Sequence, residues 1–197
     1  LHSRGVVLYF HGNRENINHY AKFVPAFTRH GYEVWMMDYP GYGKSTGDPT
    51  EQRFYSDALL LYKMAEKQFS SDSIIFYGKS LGTGVATELA SHAGGKRLIL
   101  ETPYYSLPSL ASAFLPVYPT ASMLQYKFSV HEYLPFVKIP VTIFHGTEDG
   151  VIPYSNAEQL RPLLKTGDEF ITIEKGSHND LSTFELYQQK LDSLLNH

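Results

Sequence analysis

The stretch "IIFYGKSLGTG", residues 74–84, runs from four apolar residues into a serine surrounded by small residues. Gly-Lys-Ser also ends the phosphate-binding P-loop, but that loop needs another glycine five residues before its last one. Ser73 occupies that position here, and Asp38 occupies it for the second Gly-Lys-Ser, which begins at Gly43. The spacing therefore excludes a P-loop at both places and leaves G-x-S-x-G, residues 78–82, as the pattern to explain.

The surroundings of Ser80 favour a nucleophile. An apolar run typical of a buried strand ends just before it, and the residues that follow have helix-forming content and a glycine stop. In such a strand-turn-helix the hydroxyl is lifted above the sheet at a helix N-terminus, where free N–H groups favour an oxyanion. Gly78 and Gly82 fit because the turn has no room for larger neighbours. Lys79 is the variable residue of the pattern, and we expect it to be replaceable.

Length and composition predict one globular domain over residues 1–197. Hydrophobic residues make up 43% of the chain and charged residues 19%, typical of a folded protein. The net charge of −3, without a basic stripe, argues against a nucleic-acid partner. The absence of cysteine excludes disulfides and thiolate chemistry.

The N-terminus bears on membrane contact and compartment. No apolar run approaches the ~18 residues of a membrane span. The chain begins almost inside a strand, so we expect that an N-terminal segment is missing. Membrane contact is expected only through such a segment, which leaves a cytoplasmic and a membrane-anchored protein as alternatives.

Short apolar runs alternate with segments of helical spacing along the chain. Six of these runs are continuous, which is typical of strands buried on both faces of a parallel sheet. They are Val6–Phe10, Val34–Met37, Ser73–Tyr77, Leu98–Leu100, Val141–Phe144 and Phe170–Ile173. The pattern predicts an α/β fold with a mainly parallel sheet of six strands flanked by helices.

The segment 102–140 interrupts this alternation. It is rich in proline and aromatic residues and lacks a clean period, and its apolar content argues against disorder. We interpret it as a small cap that lines a substrate pocket, with a surface excursion packed on its own aromatic residues as the alternative. The predicted pocket residues are His11, Tyr104, Tyr105, Phe114 and Tyr118.

A serine needs a base to act as a nucleophile. Among the nine histidines, His178 lies between the last predicted strand and the last helix, at the sheet edge expected for Ser80. His11 and His145 also end strands, but each precedes a glycine, and we interpret them as turn or pocket-wall residues. The remaining histidines are interpreted as surface residues: His2, His19, His30, His92, His131 and His197.

Two acidic residues compete to orient the histidine. Asp149 lies in a turn after the fifth predicted strand, and Glu101 ends the fourth. We favour Asp149, and the order Ser80, Asp149, His178 is nucleophile, acid, base, as a site of this kind requires. Glu101 remains the alternative. Asp38 is interpreted as a carboxylate that fixes a loop.

The oxyanion hole is predicted to consist of two backbone N–H groups. One belongs to Leu81, directly after the nucleophile, and the other to Asn13, in the loop after the first strand. Losing one such donor typically lowers the rate on the order of 10²–10³-fold.

Six segments resemble the alpha/beta hydrolases. They are "YFHGN", "MMDYPGYGKSTG", "FYGKSLGTGVATELA", "ILETPYYSLPSLA", "IFHGTEDGVIP" and "KGSHNDL", and they span nearly the whole chain. The chain is most similar to the branch with serine-aminopeptidase-like hydrolases, bacterial hydrolases of unassigned substrate, and eukaryotic proteins that remove palmitate from cysteines. The resemblance implies the alpha/beta-hydrolase fold with about eight strands, of which residues 1–10 match the third. The first two strands of the family are therefore expected to be missing.

The resemblance also implies acyl transfer through a covalent intermediate. Ser80, deprotonated by His178, would attack an ester, thioester or amide carbonyl, while Asp149 holds the imidazole. We therefore expect a serine hydrolase of carboxylic esters that acts on a small-molecule or acylated substrate, without a metal or organic cofactor.

Two alternatives remain open. A serine aminopeptidase-like peptidase would use the same residues, but it would need a carboxylate for the substrate amine, and near the cap only Glu132 and Glu101 are available. A non-catalytic hydrolase-like binding module would require one of the three catalytic positions to be broken, and none is.

Overall fold

The centre of the protein is a six-stranded parallel sheet, seen in a computed structural model that describes residues 3–115 and 124–196. Its strands are β1 (Gly5–Phe10), β2 (Tyr32–Met36), β3 (Ile74–Lys79), β4 (Arg97–Glu101), β5 (Val141–Gly146) and β6 (Glu169–Ile173). They pair in the order β2-β1-β3-β4-β5-β6, and each pair is parallel. Each strand overlaps one of the six apolar runs, which confirms the predicted α/β fold.

Helices connect the strands and cover both faces of the sheet. They are α1 (Ile17–Tyr20), α2 (Pro25–Thr28), α3 (Glu51–Ala65), α4 (Gly82–His92), α5 (Leu107–Phe114), α6 (Val130–Tyr133), α7 (Tyr154–Glu158) and α8 (Glu185–Asn196). Among these helices, none is long and apolar enough to cross a lipid bilayer.

Alternate residues of the central strands face opposite layers of the core. Ile74 and Phe76 of β3 pack with the apolar sides of α3 and α4. Ile75 and Tyr77 of the same strand pack with α2 and α8 on the other face. Both faces of β3 are therefore buried, which explains its continuous apolar sequence.

The described part of the segment 102–140 packs onto the first of these layers. Tyr104, Phe128 and Leu134 are buried members of the same core cluster as α3 and α4. Glu51, at the start of α3, accepts hydrogen bonds from the backbone N–H groups of Lys127 (2.7 Å) and Phe128 (3.1 Å). The described part of the cap is thus continuous with the core.

The strand order opens a crevice at the carboxyl edge of the sheet. Because the connection from β1 leads to β2 on one side and the chain returns to β3 on the other, the loops after β1 and β3 diverge. Asn13 follows β1 and Ser80 follows β3, so both flank this crevice. Asp149 and His178 follow β5 and β6 and lie at the same edge.

Candidate active site

Ser80 lies in a tight turn between β3 and α4. Its backbone φ is 52°, in the left-handed region that residues other than glycine seldom adopt. A Cβ atom at Gly78 would lie 2.6 Å from the carbonyl oxygen of Gly82, and one at Gly82 would lie 2.0 Å from that of Phe10. Both glycines of the G-x-S-x-G pattern are therefore required by the close approach of neighbouring backbone.

The turn brings Ser80 into hydrogen-bond distance of His178. On its other side, His178 lies within hydrogen-bond distance of Asp149. The Ser80 Oγ lies 3.0 Å from the His178 Nε2, and the His178 Nδ1 lies 2.8 Å from the Asp149 Oδ2. A carboxylate only accepts hydrogen bonds, so Nδ1 carries the proton and Nε2 is free to accept one from the serine. The three predicted catalytic side chains thus form one connected chain of hydrogen bonds.

The environment of Asp149 keeps its side chain ionised. The carboxylate is fully buried, and its Oδ1 accepts the backbone N–H groups of Val151 (2.9 Å) and Ile152 (2.8 Å). Burial alone would raise the pKa of Asp149, but the hydrogen bond and charge of His178, together with these two N–H groups, lower it. A charged, fixed carboxylate orients the imidazole and stabilises its protonated form.

Glu101, the alternative acid, is engaged elsewhere. Its carboxylate accepts hydrogen bonds from the Lys79 ammonium and from the hydroxyls of Tyr77 and Tyr187. Burial would raise the pKa of Glu101, but the charge and hydrogen bond of Lys79 and the two tyrosines lower it. No hydrogen bond or ion pair joins Glu101 to the His178 imidazole among the described residues.

Lys79, the variable residue of the G-x-S-x-G pattern, is buried and paired with a carboxylate, and whether it can be replaced stays a prediction. Its side chain is 2% exposed and forms an ion pair with Glu101. The two residues are register neighbours at the ends of β3 and β4, so their side chains leave the sheet on the same face. Register and strand order bring the two charges together, and neither is contained in the local G-x-S-x-G pattern.

Asn13 and Leu81, the predicted oxyanion donors, line the same cavity as Ser80. The Tyr42 hydroxyl donates to the Asn13 Oδ1, and the Tyr104 hydroxyl donates to the Leu81 carbonyl oxygen at 3.1 Å. Within residues 3–115 and 124–196, no acceptor takes a hydrogen bond from either backbone N–H group. Both N–H groups are therefore available to a ligand.

An apolar cavity of about 390 Å³ opens beside Ser80. Its wall is largely aromatic and aliphatic, and part of it comes from the segment 102–140. The side chains that form it include Phe54, Tyr104, Leu107, Leu110, Tyr126 and Phe128. The described part of the cap thus lines a cavity next to the serine, as predicted.

A second cavity, of about 640 Å³, also borders Ser80, and we call it the polar cavity because its mixed wall is the more polar of the two. Its charged and polar lining includes Arg14, Glu15, His19, Lys22, His178 and Asn179. Ser80 therefore stands between an apolar and a polar cavity, and a substrate bound at the hydroxyl would extend into two chemically different spaces.

Tyr104 and His11, two of the five predicted pocket residues, lie in different environments. Tyr104 lines the apolar cavity. His11 lines neither cavity, because its ring is fully buried, with Nδ1 2.8 Å from the Gly12 carbonyl oxygen and its centroid 4.4 Å from that of Tyr39. His11 thus supports the loop that carries Asn13 from within the core, and its assignment to the pocket wall is corrected.

Two further predicted pocket residues, Tyr105 and Phe114, line neither cavity. Tyr105 stacks on His131 with ring centroids 4.0 Å apart, and Phe114 is 56% exposed at the end of α5. Neither lines the cavity beside Ser80, because α5 turns Leu107 and Leu110 toward it instead. Tyr118 lies outside the described residues.

The remaining strand-end residues fix loops around the site. His145 is fully buried, and its Nε2 donates to the Ile152 carbonyl oxygen at 2.9 Å, within the turn that holds Asp149. Burial lowers the pKa of His145, so its imidazole is neutral. Asp38 accepts the backbone N–H of Ile17 at 2.8 Å and thereby fixes a loop, as predicted.

The histidines interpreted as surface residues are of two kinds. The side chains of His19 and His92 are 43% and 47% exposed. His30 is only 12% exposed and its Nε2 lies 2.9 Å from the Asp192 Oδ1, while His131 is partly buried in its stack. His2 and His197 lie outside the described residues. In the described part of the chain, no group of three or more His, Asp or Glu side chains could hold a metal ion.

Several residues around Ser80 were not identified from the sequence. Tyr42 and Phe54 form part of the wall of the apolar cavity, and His19 and Lys22 line the polar cavity. The sequence places Tyr42 in a glycine-rich loop and Phe54 on the apolar face of α3. Local structure alone accounts for an aromatic residue at each of these positions. No local pattern distinguishes them from ordinary loop and core residues.

The parallel sheet, its strand order and the serine in a strand-turn-helix define an alpha/beta hydrolase. A family model described as "Serine aminopeptidase, S33" matches residues 2–132, well over half of the chain. The chain therefore belongs to this serine aminopeptidase S33 family of alpha/beta hydrolases, which confirms the resemblance found in the sequence.

Two relatives and one solved structure illustrate the similarity. Alpha/beta hydrolase domain-containing protein aho-3 of Caenorhabditis elegans is 30% identical over 198 residues, which cover 98% of this chain and 58% of the relative. Alpha/beta hydrolase domain-containing protein 17C of Xenopus tropicalis is 30% identical over 198 residues, which cover 99% of this chain and 63% of the relative. The chain thus spans about three fifths of these relatives.

The structure is also similar to a Pyrococcus furiosus esterase, Pf2001. The TM-score is 0.79 at 18% identity, and the match covers 98% of this chain and 81% of the esterase. At this identity the similarity concerns the fold, and it extends over nearly the whole chain.

Proposed function

We propose that this protein is a serine hydrolase that cleaves carboxylic esters through an acyl-enzyme on Ser80. The observation that carries the proposal is the hydrogen-bonded series from the Ser80 Oγ through His178 to Asp149, at 3.0 Å and 2.8 Å. A serine hydroxyl becomes nucleophilic when a base accepts its proton and a third group orients that base. Each of these three roles has one side chain with the required geometry.

The proposed reaction has two stages. In the first, the Ser80 Oγ attacks the carbonyl carbon as His178 Nε2 takes the hydroxyl proton, and the N–H groups of Asn13 and Leu81 stabilise the oxyanion. His178 then gives this proton to the leaving alcohol or thiol, and the acyl group stays on Ser80. In the second stage, water attacks the acyl-enzyme, His178 takes its proton, and the carboxylic acid leaves as the proton returns to Ser80.

The two cavities around Ser80 support an ester or thioester with an apolar acyl group. The apolar cavity, at about 390 Å³, offers space for an acyl chain, and the polar cavity suits the leaving alcohol or thiol. The similar Pyrococcus furiosus protein is described as an esterase, which agrees with this substrate class.

The family name raises the alternative of an aminopeptidase, which would hold the substrate's ammonium with a carboxylate. Glu101 is already paired with Lys79, and Glu132 is 60% exposed at the side chain. Glu15 lines the polar cavity, but Arg14 and Lys22 line it too. Nothing around Ser80 offers an unopposed carboxylate among the residues described, so the ester is the better supported substrate.

Hydrolysis of p-nitrophenyl esters from acetate to laurate tests the proposal. We expect kcat/KM to rise with chain length beyond acetate, and Ser80→Ala to lower kcat by at least about 10³-fold, because the nucleophile is lost. A folded wild type without esterase activity, or an active Ser80→Ala variant, would contradict the proposal. A sharp preference for acetate would reject the acyl-chain part, and faster cleavage of aminoacyl p-nitroanilides would favour the peptidase.

A further inference from the structure

We propose that Lys79 is a positioning residue that fixes the backbone of His178 relative to Ser80, an inference that rests on the proposed function. Lys79 directly precedes Ser80 at the end of β3 and is almost fully buried. Its ammonium donates to the Glu101 Oε1 and also, at 3.3 Å, to the carbonyl oxygen of His178. One side chain thus joins the strand that carries the nucleophile to the residue that carries the base.

The ammonium is held by a carboxylate that cannot itself move freely. The Glu101 Oε2 accepts the hydroxyls of Tyr77 and Tyr187, and these hydroxyls lie 2.8 Å from each other. Tyr77 belongs to β3 and Tyr187 to α8, the helix that follows the His178 loop. The pair of charges is therefore anchored to three elements, so the position of the Lys79 Nζ is fixed before it reaches His178.

Lys79 contacts the loop that bears His178 at one backbone group, the His178 carbonyl oxygen. Its neighbours are held separately, because the Gly176 carbonyl oxygen accepts the Glu148 N–H at 2.9 Å and the Ser177 N–H donates to the Asp180 Oδ1 at 2.7 Å. In residues 3–115 and 124–196, the bond from Lys79 is the one hydrogen bond made by the backbone of His178. Removing it leaves the backbone of His178 without a hydrogen bond in the described part of the chain, so that the bond to Asp149 alone holds the ring toward the serine.

A structural role and a positioning role of this ion pair predict different effects when the pair is removed. A structural pair affects the amount of folded protein and leaves the folded enzyme's turnover unchanged. A positioning residue affects kcat in the folded enzyme, because a misplacement of about 1 Å at a catalytic group lowers the rate about 10²-fold. KM stays near its wild-type value because Lys79 borders only the polar cavity and the apolar cavity proposed for the acyl group is untouched.

The double variant Lys79→Met/Glu101→Gln separates the two cases. It removes the donor to His178 without leaving a buried unpaired charge, and the amide of Gln still accepts hydrogen bonds from the tyrosines. With p-nitrophenyl butyrate we expect kcat to fall about 10–100-fold and KM to change less than about threefold. Lys79→Arg keeps the positive charge and N–H donors at this position and should keep kcat within about threefold of wild type.

The matched control is Lys190→Met/Glu169→Gln. It removes an ion pair of 2.6 Å between α8 and β6 that lines neither cavity, so kcat should stay unchanged. Wild-type kcat in the folded Lys79→Met/Glu101→Gln variant would overturn the proposal. If that variant does not fold, Lys79→Met/Glu101→Met and Lys79→Arg replace it, and equal kcat in these two would overturn the proposal. An inactive wild type would instead reject the proposed function.

Discussion

The backbone of Ser80 is held in a conformation that disfavours every residue except glycine. Its φ of 52° is fixed by hydrogen bonds from its N–H to the Glu101 carbonyl oxygen and from the Thr83 N–H to its own carbonyl oxygen, both 2.9 Å. The left-handed conformation costs an L-residue about 1–2 kcal/mol. The same backbone conformation directs the Ser80 hydroxyl out of the sheet toward His178.

The strain at Ser80 predicts that a Gly variant is more stable than an Ala variant there, the reverse of the order in a helix. Ser80→Gly and Ser80→Ala both remove the hydroxyl, but only glycine relieves the strain, so we expect Ser80→Gly to be more stable by about 1 kcal/mol in urea unfolding. Ser56, exposed in the middle of α3, is the control. There Ala should be more stable than Gly by about 1 kcal/mol. The same order at both positions would show that Ser80 carries no strain.

At the scale of elements, the loops after the strands carry the polar groups and the cap carries the apolar wall. Helix α5 begins at a serine cap, where the Ser106 Oγ accepts the Ser109 N–H at 3.1 Å. The helix directs Leu107 and Leu110 toward the cavity and leaves Phe114 exposed. One face of α5 therefore forms part of the wall of the apolar cavity.

A larger side chain on that face should shorten the preferred acyl chain. We expect Leu110→Trp to lower kcat/KM for p-nitrophenyl octanoate about tenfold relative to acetate, because the indole fills cavity space. Phe114→Ala is the control, and its chain-length profile should match that of the wild type. A profile altered by Phe114→Ala but not by Leu110→Trp would place the acyl group elsewhere.

The strands and the catalytic candidates were readable from the sequence for a common reason. Strands buried on both faces leave short, continuous apolar runs, and Ser80, Asp149 and His178 each follow such a run. In a parallel sheet the carboxyl ends share one edge, so position along the chain already implied proximity. The six strands are confirmed, and the catalytic roles remain a prediction that the geometry supports.

The cap and the Lys79–Glu101 pair could not be read in the same way. The cap has no clean period, so nothing in the sequence distinguished Leu110, which lines the cavity, from Phe114, which does not. The pairing of Lys79 with Glu101 depends on strand order and register between β3 and β4. A single sequence contains the two charges but not the register that joins them.

For the whole molecule, the buried carboxylate of Glu101 predicts sensitivity to acid. Its pKa is lower in the folded protein than its ordinary value of 4.5, so the unfolded chain binds the proton first as the pH falls. Stability from Glu101 is therefore fully present above about pH 4.5 and is lost as the pH falls through the folded-state pKa.

Urea unfolding between pH 6 and pH 3 measures this contribution. We expect the wild type to lose more unfolding free energy over this range than Lys79→Met/Glu101→Gln, which lacks the ionisable pair. Asp149 and the surface carboxylates are common to both proteins, so their effect cancels in the difference. Parallel curves for the two proteins would contradict the account of Glu101.

The arrangement of the whole molecule leads to one claim, that Ser80 is an activated nucleophile at the crevice between β1 and β3. A fluorophosphonate probe, followed by mass spectrometry of the labelled peptide, tests it most directly because the probe reports the nucleophile without a known substrate. We predict one adduct on Ser80 in the wild type and none in Ser80→Ala. An adduct on another residue, or no adduct on the folded wild type, would contradict the claim.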